Sequence, residues 1–152
     1  MAYDLTVTGP AMRALFDLGL RVPSHGLPPW PTRPNSLTRM GDRALMWLGP
    51  GRWLLMAPLA EEMGLQAVLP SEGVTLWSDS LAFFTLKGAD AGVAMAIACP
   101  LDLHPSAFPD DAAAWTDAFG TRALVLRDGT GWLLGIEPSY ADYVAAHLRQ
   151  IA

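Results

Sequence analysis

Charged side chains are scarce in this sequence. Asp, Glu, Lys and Arg make up 16% of its 152 residues, against about 25% in an ordinary soluble domain. With 51% apolar residues and six Trp, such a chain has too little polar material to cover itself. It either buries much of the remainder internally or keeps a partner. Cations are the scarcest: ten Lys and Arg face fifteen Asp and Glu, a net charge of −5. That excludes nucleic acid and anionic lipid as partners, since both demand a basic face. The single cysteine, Cys99, excludes an internal disulfide and fits a reducing compartment. No apolar run approaches the ~20 residues of a membrane helix. Met1-Ala2-Tyr3-Asp4 shows no basic lead and no long apolar run, so no signal peptide is expected. The expectation is a soluble, cytoplasmic protein.

Clusters of ionisable groups are few as well. His25, His104 and His147 stand far apart without carboxylates at ligand spacing, whereas a zinc or iron site needs three or more converging ligands. No metal site is expected. Gly49-Pro50-Gly51-Arg52 has neither the length nor the lysine of a phosphate-binding loop, and no GxGxxG precedes a helix. Trp47, Trp53 and Trp132 recur at strand positions and read as core rather than as a base-stacking platform, which would want interleaved cations. Asp102 and His104, two residues apart, are the one candidate acid/base pair. The plainer reading is a carboxylate capping a turn beside a histidine that shields apolar surface. Cys99 has no activating cation near it in sequence and reads as a buried, inert thiol. No catalytic, cofactor-binding or metal-binding residue is assigned.

The chain does contain a repeat. Gly9 and Gly88 lie 79 apart, as do Gly41 and Gly120, Arg43 and Arg122, Leu45 and Leu124, and Trp53 and Trp132. Leu5-Thr6-Val7-Thr8-Gly9 answers Phe84-Thr85-Leu86-Lys87-Gly88, and one inserted residue then carries Pro58 to Pro138. Each copy reads as strand, helix, loop, two or three strands, helix. In the first copy, Thr8 and Pro10 suit a helix start, Met12, Leu15, Phe16 and Leu20 follow at near-helical spacing, and Gly19 stops it. The segments 43–48 and 52–57 read as strands joined by the turn Gly49-Pro50-Gly51. Pro58 opens a helix to about Leu69, 73–77 is a strand, and 88–98 is a helix. Pro138 begins a terminal helix with Tyr140, Tyr143, Val144 and Leu148 on one face. The expected fold is α+β: two tandem βαβββα-like halves, 1–78 and 79–152, related by a pseudo-twofold. They form one unit, with antiparallel sheets and helices packed on one side.

Two proline-rich connections interrupt this frame. Residues 21–35 hold Pro23, Pro28, Pro29, Pro31 and Pro34 and read as an extended surface connection. The other runs Cys99-Pro100-Leu101-Asp102-Leu103-His104-Pro105-Ser106-Ala107-Phe108-Pro109. Its prolines deny any regular continuation of the preceding helix, yet Leu101, Leu103 and Phe108 need cover. A stiffened apolar loop has little entropy left to lose on docking. It is either a rigid connection packed on its own sheet or a surface for another protein.

The same residues resemble the gamma subunit of heterotetrameric sarcosine oxidase. Trp47-Leu48-Gly49-Pro50-Gly51-Arg52-Trp53-Leu54-Leu55 is similar to the family's LGPDEWLL signature. The stretch Cys99–Pro109 resembles its CPLDLHPRAFP almost residue for residue, and Ser139-Tyr140-Ala141-Asp142-Tyr143 its SFADYL helix. The likeness runs in order from about Asn35 to the end of the chain. Departures are Arg52, where the family carries an acidic residue, Ser78-Asp79-Ser80-Leu81-Ala82, where it tends to arginine and threonine, and a shorter N-terminal region.

The resemblance implies a fold like the folate-binding module of glycine-cleavage aminomethyltransferases and a place in an alpha-beta-gamma-delta complex. That complex oxidatively demethylates sarcosine with FAD, FMN and NAD and passes the carbon to tetrahydrofolate. The flavins belong to alpha and beta and zinc to delta, with no cofactor in this chain. The residues carried over are Trp53, Cys99, Pro100, Leu101, Asp102, Leu103, His104, Pro105, Phe108 and Pro109, as interface or structural positions. The expected role is a non-catalytic subunit that packs on and stabilises the alpha-type partner. Alternatives are a subunit of an N-methylglutamate dehydrogenase-like complex or a stand-alone folate-binding, aminomethyltransferase-like protein.

Overall fold

Two hairpins set the frame of the computed structural model, which describes residues 3–19 and 26–152. Leu20, Pro23 and His25 lie outside the described residues. The strands are β1 (Thr6–Met12), β2 (Ala14–Leu18), β3 (Ser36–Met40), β4 (Arg43–Gly49), β5 (Arg52–Ala57), β6 (Val74–Leu76), β7 (Ala82–Lys87), β8 (Ala113–Ala118), β9 (Thr121–Asp128) and β10 (Gly131–Ile136). The helices are α1 (Glu62–Val68), α2 (Ala91–Ala98) and α3 (Ala141–Ile151). Apolar strands joined by glycine turns zip into β4–β5 and β9–β10, and each hairpin grows into a five-stranded sheet. The orders are β3-β4-β5-β2-β6 and β1-β7-β10-β9-β8, and the fold is α+β, as expected.

Two compact units result: Met12–Asp79, and the residues up to Ala11 together with Ser80–Ala152. The sequence divides as 1–78 and 79–152, but β1 stands beside β7 in the second sheet, so the first strand goes with the C-terminal unit. A Cβ on Gly9 would meet the Phe83 carbonyl oxygen at 2.4 Å, and one on Gly88 would meet that of Asp4 at 2.2 Å. Asp4 and Phe83 are themselves 79 apart, so the sequence repeat reappears as a reciprocal close approach between the two strands.

In the C-terminal unit α2 and α3 cover one face of the sheet. Ala91, Ala94, Met95, Val144 and Leu148 pack with Phe84, Leu86, Val125, Trp132, Leu134 and Ile136. In the other unit Leu65 of α1 packs with Phe16, Leu45, Trp53 and Leu55. The alternate strand residues, among them Leu54, Met56, Leu124 and Leu133, are buried too. Both sheets are therefore covered on both faces, which explains strands without polar alternation. Among the described residues no helix is long and apolar enough to cross a membrane.

Three expectations are corrected. The helix expected after Gly9-Pro10 is strand: Gly9 and Pro10 lie inside β1, and β2 runs between β5 and β6 with Phe16 opposite Leu55 and Leu76. Apolar residues spaced three and four apart also occur in a short strand covered on both faces, and here pairing decides. Secondly, no residue is inserted before Pro138. The short 3₁₀ turns start at Leu59 and Pro138 and the helices at Glu62 and Ala141, each pair still 79 apart. The irregularity lies in the first hairpin, where the register shifts between Trp47 and Gly49. Thirdly, Leu45 faces α1, whereas Leu124 is not among the residues under α2 and α3. That one-residue shift turns matching words to opposite faces.

Gly88 has φ 120 and no room for a side chain, while a Cβ on Gly92, in the first turn of α2, would meet nothing within 4 Å. Gly88→Ala is expected to destabilise by roughly 2–3 kcal/mol through strain and displaced backbone. Gly92→Ala should instead be neutral or add up to about 1 kcal/mol by helix propensity. Urea unfolding of both variants checks this, and equal effects would contradict it.

Candidate functional site

The stretch Cys99–Pro109 begins where α2 ends. Pro100 stops the helix after the Cys99 N–H donates to the Met95 carbonyl at 3.0 Å. From there the loop has two sides. Inward, Cys99 and Phe108 are buried and Leu101 and Leu103 pack partly against the same core as α2 and α3. Phe108 meets Trp132 of β10 with ring centroids 5.6 Å apart. Covering one such side chain contributes on the order of 1.5–3 kcal/mol. Outward, Pro100, Asp102, His104 and Pro105 are exposed, and Pro109 is half-buried.

Arg127 clamps the loop to the sheet. Its Nε donates to the Phe108 carbonyl at 3.2 Å and a terminal nitrogen to the Leu103 carbonyl at 2.9 Å. Its guanidinium carbon stands 4.0 Å from the centre of the Trp132 ring, a cation–π arrangement. One side chain thus ties the middle and the far end of the loop to the tryptophan under it. Nothing in the loop motif points to Arg127. Counting back from the Asp128-Gly129-Thr130-Gly131 turn does, since it sets Arg127 directly opposite Trp132.

The acid/base candidates are engaged in the loop itself. The Asp102 carboxylate accepts the His104 backbone N–H at 3.0 Å. The His104 ring bonds Ser106 Oγ through Nδ1 at 2.7 Å. The Ala107 and Phe108 N–H groups both donate to the His104 carbonyl, at 2.9 and 2.8 Å. Asp102 thus caps a turn, as in the plainer reading, and the imidazole turns to a serine. Burial pushes the Cys99 thiol up, partly opposed by a backbone hydrogen bond from Leu101, so the nucleophilic thiolate is disfavoured.

Trp53 belongs to the other unit and has equivalent surroundings. Trp30, from the first proline-rich connection, meets it edge-on at 5.1 Å, and Trp47 stands directly opposite on β4, 6.4 Å away. That connection is pinned by Arg43, which donates to the Gly26 carbonyl and pairs with Glu61, each at 2.6 Å. Thr38 bonds the Pro29 carbonyl. A hairpin tryptophan capped by a ring from a proline-rich loop occurs once in each unit. No group of three or more His, Cys, Asp or Glu among the described residues is placed to hold a metal ion.

A fold of two such units is that of the aminomethyltransferase-like class. The chain superimposes on the glycine cleavage system aminomethyltransferase T from Bartonella henselae with a TM-score of 0.66 at 12% identity, over 97% of this chain and 46% of that one. It superimposes on a chain of the heterotetrameric sarcosine oxidase from Corynebacterium sp. U-96, solved with pyrrole 2-carboxylate, with a TM-score of 0.81 at 24% identity, over 97% of this chain and 83% of that one. The family model for the sarcosine oxidase gamma subunit matches residues 32–152, and the chain belongs to that family. Sarcosine oxidase subunit gamma from Corynebacterium sp. (strain P-1) is 29% identical over 106 residues, 66% of this chain and 52% of that protein. The subunit from Arthrobacter sp. is 33% identical over 93 residues, 57% and 44% respectively. The chain spans about half the length of these relatives.

Two outcomes follow. Arg127→Ala leaves two carbonyls without a charged donor and is expected to cost about 2–3 kcal/mol, with Arg127→Lys losing less. Urea unfolding read by tryptophan fluorescence measures it, and an alanine variant within ~0.5 kcal/mol of the parent would remove the clamp from the account. Cys99 should react slowly with iodoacetamide at pH 8 in the folded chain and rapidly in denaturant. Because the folded thiol keeps its proton longer than the unfolded one, its contribution to stability is complete below the unfolded pKa. It is lost as pH rises through the folded value.

Proposed function

We propose that the chain serves as a non-catalytic gamma-type subunit of a sarcosine oxidase complex, packing on and stabilising an alpha-type subunit. The complex would oxidatively demethylate an N-methyl amino acid and pass the carbon to tetrahydrofolate, in the cytoplasm. FAD, FMN, NAD, tetrahydrofolate and zinc would be held by alpha-, beta- and delta-type partners, not by this chain. The reading rests on the family match over residues 32–152.

The observation that carries the non-catalytic role is how the family-signature loop uses its polar groups. Asp102, His104 and Ser106 bond within the loop, Cys99 is buried, and Arg127 is engaged with the Leu103 and Phe108 carbonyls and the Trp132 face. These side chains shape a rigid part rather than present an acid, base or nucleophile to a substrate.

The likeness to aminomethyltransferase T favours one rival, a chain that binds folate by itself. Two measurements separate them. Titration of the chain with tetrahydrofolate should give no binding heat. Co-expression with the flavin-bearing subunits of a sarcosine oxidase should yield a complex containing this chain, in which Asp102→Ala leaves sarcosine turnover within about twofold of the parent. Folate binding by the isolated chain, or an Asp102→Ala complex that assembles but loses turnover, would refute the reading.

A further inference from the structure

We propose that the outer side of α2 and α3, bridged by Phe119, is a docking surface for a partner chain whose matching face is apolar at its centre and cationic at its rim. This rests on the reading above, that the chain works as a subunit, and names which part of it makes the contact. The signature loop offers less to it, because Leu101, Leu103 and Phe108 are turned onto the chain's own core.

Three observations meet here. First, α2 reads Ala91-Gly92-Val93-Ala94-Met95-Ala96-Ile97-Ala98, with no charged or hydrogen-bonding side chain. Ala91, Ala94 and Met95 are buried, while Val93 and Ile97, four residues apart and so on one face, are 47% and 59% exposed. A helix lying on a sheet ordinarily turns polar residues outward, and α2 has none.

Second, the apolar surface continues beyond the helix. The Phe119 N–H donates to the Ala98 carbonyl at 2.9 Å, which ties the β8–β9 turn to the end of α2. The Phe119 ring stacks on His147 at 5.7 Å, and His147 meets Tyr143 at 4.5 Å. Tyr143 and Tyr140 are 49% and 46% exposed. Phe119 holds φ 52, a left-handed conformation costly for a bulky residue where glycine or asparagine would be at ease. That conformation keeps an aromatic ring between the two helices.

Third, the charge is one-sided. Nine carboxylates and four cations fall in the residues up to Ala11 with Ser80–Ala152, which gives the whole net −5, whereas Met12–Asp79 carries six of each. Asp90 immediately precedes α2, and Asp142 is in the first turn of α3. An apolar strip among carboxylates selects a partner with Lys and Arg around an apolar patch and repels another acidic surface, including a second copy of this one. Met63 and Val68 of α1 are exposed as well, but Glu62 and Gln66 interrupt that helix with polar side chains, whereas α2 carries none.

The test uses the full chain and the remaining subunits of the oxidase, with affinity measured at low and high salt. Ile97→Glu and Tyr143→Glu, both at exposed positions, should each weaken assembly at least about thirtyfold. Met63→Glu should change it less than about threefold, with all three variants matching the parent in circular dichroism and unfolding midpoint. Raising salt should weaken parent binding, and Asp142→Arg should both weaken binding and flatten that dependence. Unchanged affinity in Ile97→Glu and Tyr143→Glu, or equal loss in Met63→Glu, overturns the assignment. A homodimer of the parent that Ile97→Glu dissociates also overturns it, in favour of a second copy. A parent chain that fails to bind the oxidase subunits at all defeats the functional reading itself, and this proposal with it.

Discussion

A tryptophan on the helix-bearing face of a hairpin strand has to be covered, and both units are built around meeting that need. Trp53 and Trp132 sit at equivalent places in the repeat, beside strands already buried on both faces. Neither is covered by regular structure alone: a proline-rich connection brings one ring to each, Trp30 in one case and Phe108 in the other. Stacked or tilted aromatic pairs gain beyond their buried area, and proline-stiffened chain loses less entropy in being held there. The loop is therefore a structural member of the core that happens to run over the surface.

The two units meet the same need with different side chains. Opposite Trp132 stands Arg127, whose flat cation lies on the indole and reaches two loop carbonyls. Opposite Trp53 stands Trp47, which bonds the Gly49 carbonyl at 2.8 Å, and the clamping of the connection falls to Arg43 instead. A guanidinium suits the first position because its fork satisfies two acceptors while its face rests on a ring, which a lysine does not reproduce. Around the two tryptophans, then, the copies differ in the groups that fasten the loops.

Elements with strong local signals were legible from residues alone. The Gly49-Pro50-Gly51 hairpin, the helices after Pro58, Gly88 and Pro138, and the duplication itself all follow from turn chemistry and spacing. The segment from Met12 to Leu18 was not, because Ala14, Leu15, Phe16 and Leu18 are all buried in a strand covered on both sides, and such a run has no period to read. The bulge near Trp47 was equally invisible: it leaves the sequence offset intact and changes only which face Leu45 takes. The signature loop gave up its turn-capping carboxylate and its buried thiol to plain reasoning. The direction of Phe108 depended on a tryptophan and an arginine more than eighteen residues downstream, whose register only the fold supplies.

The place of β1 bears on the order in which the molecule assembles. A ribosome releases β1 before any of the strands it will sit beside, since β7 begins at Ala82. Met12–Asp79 holds every strand of its own sheet, and all of those strands are released while β1 still waits. During that interval the waiting strand is a bare edge, the kind of segment that recruits neighbouring nascent chains. Its composition answers the hazard: Gly9 weakens the strand at its middle, and Pro10 withholds one donor outright. The strand that completes the second sheet is thus written to stay quiet until its site exists.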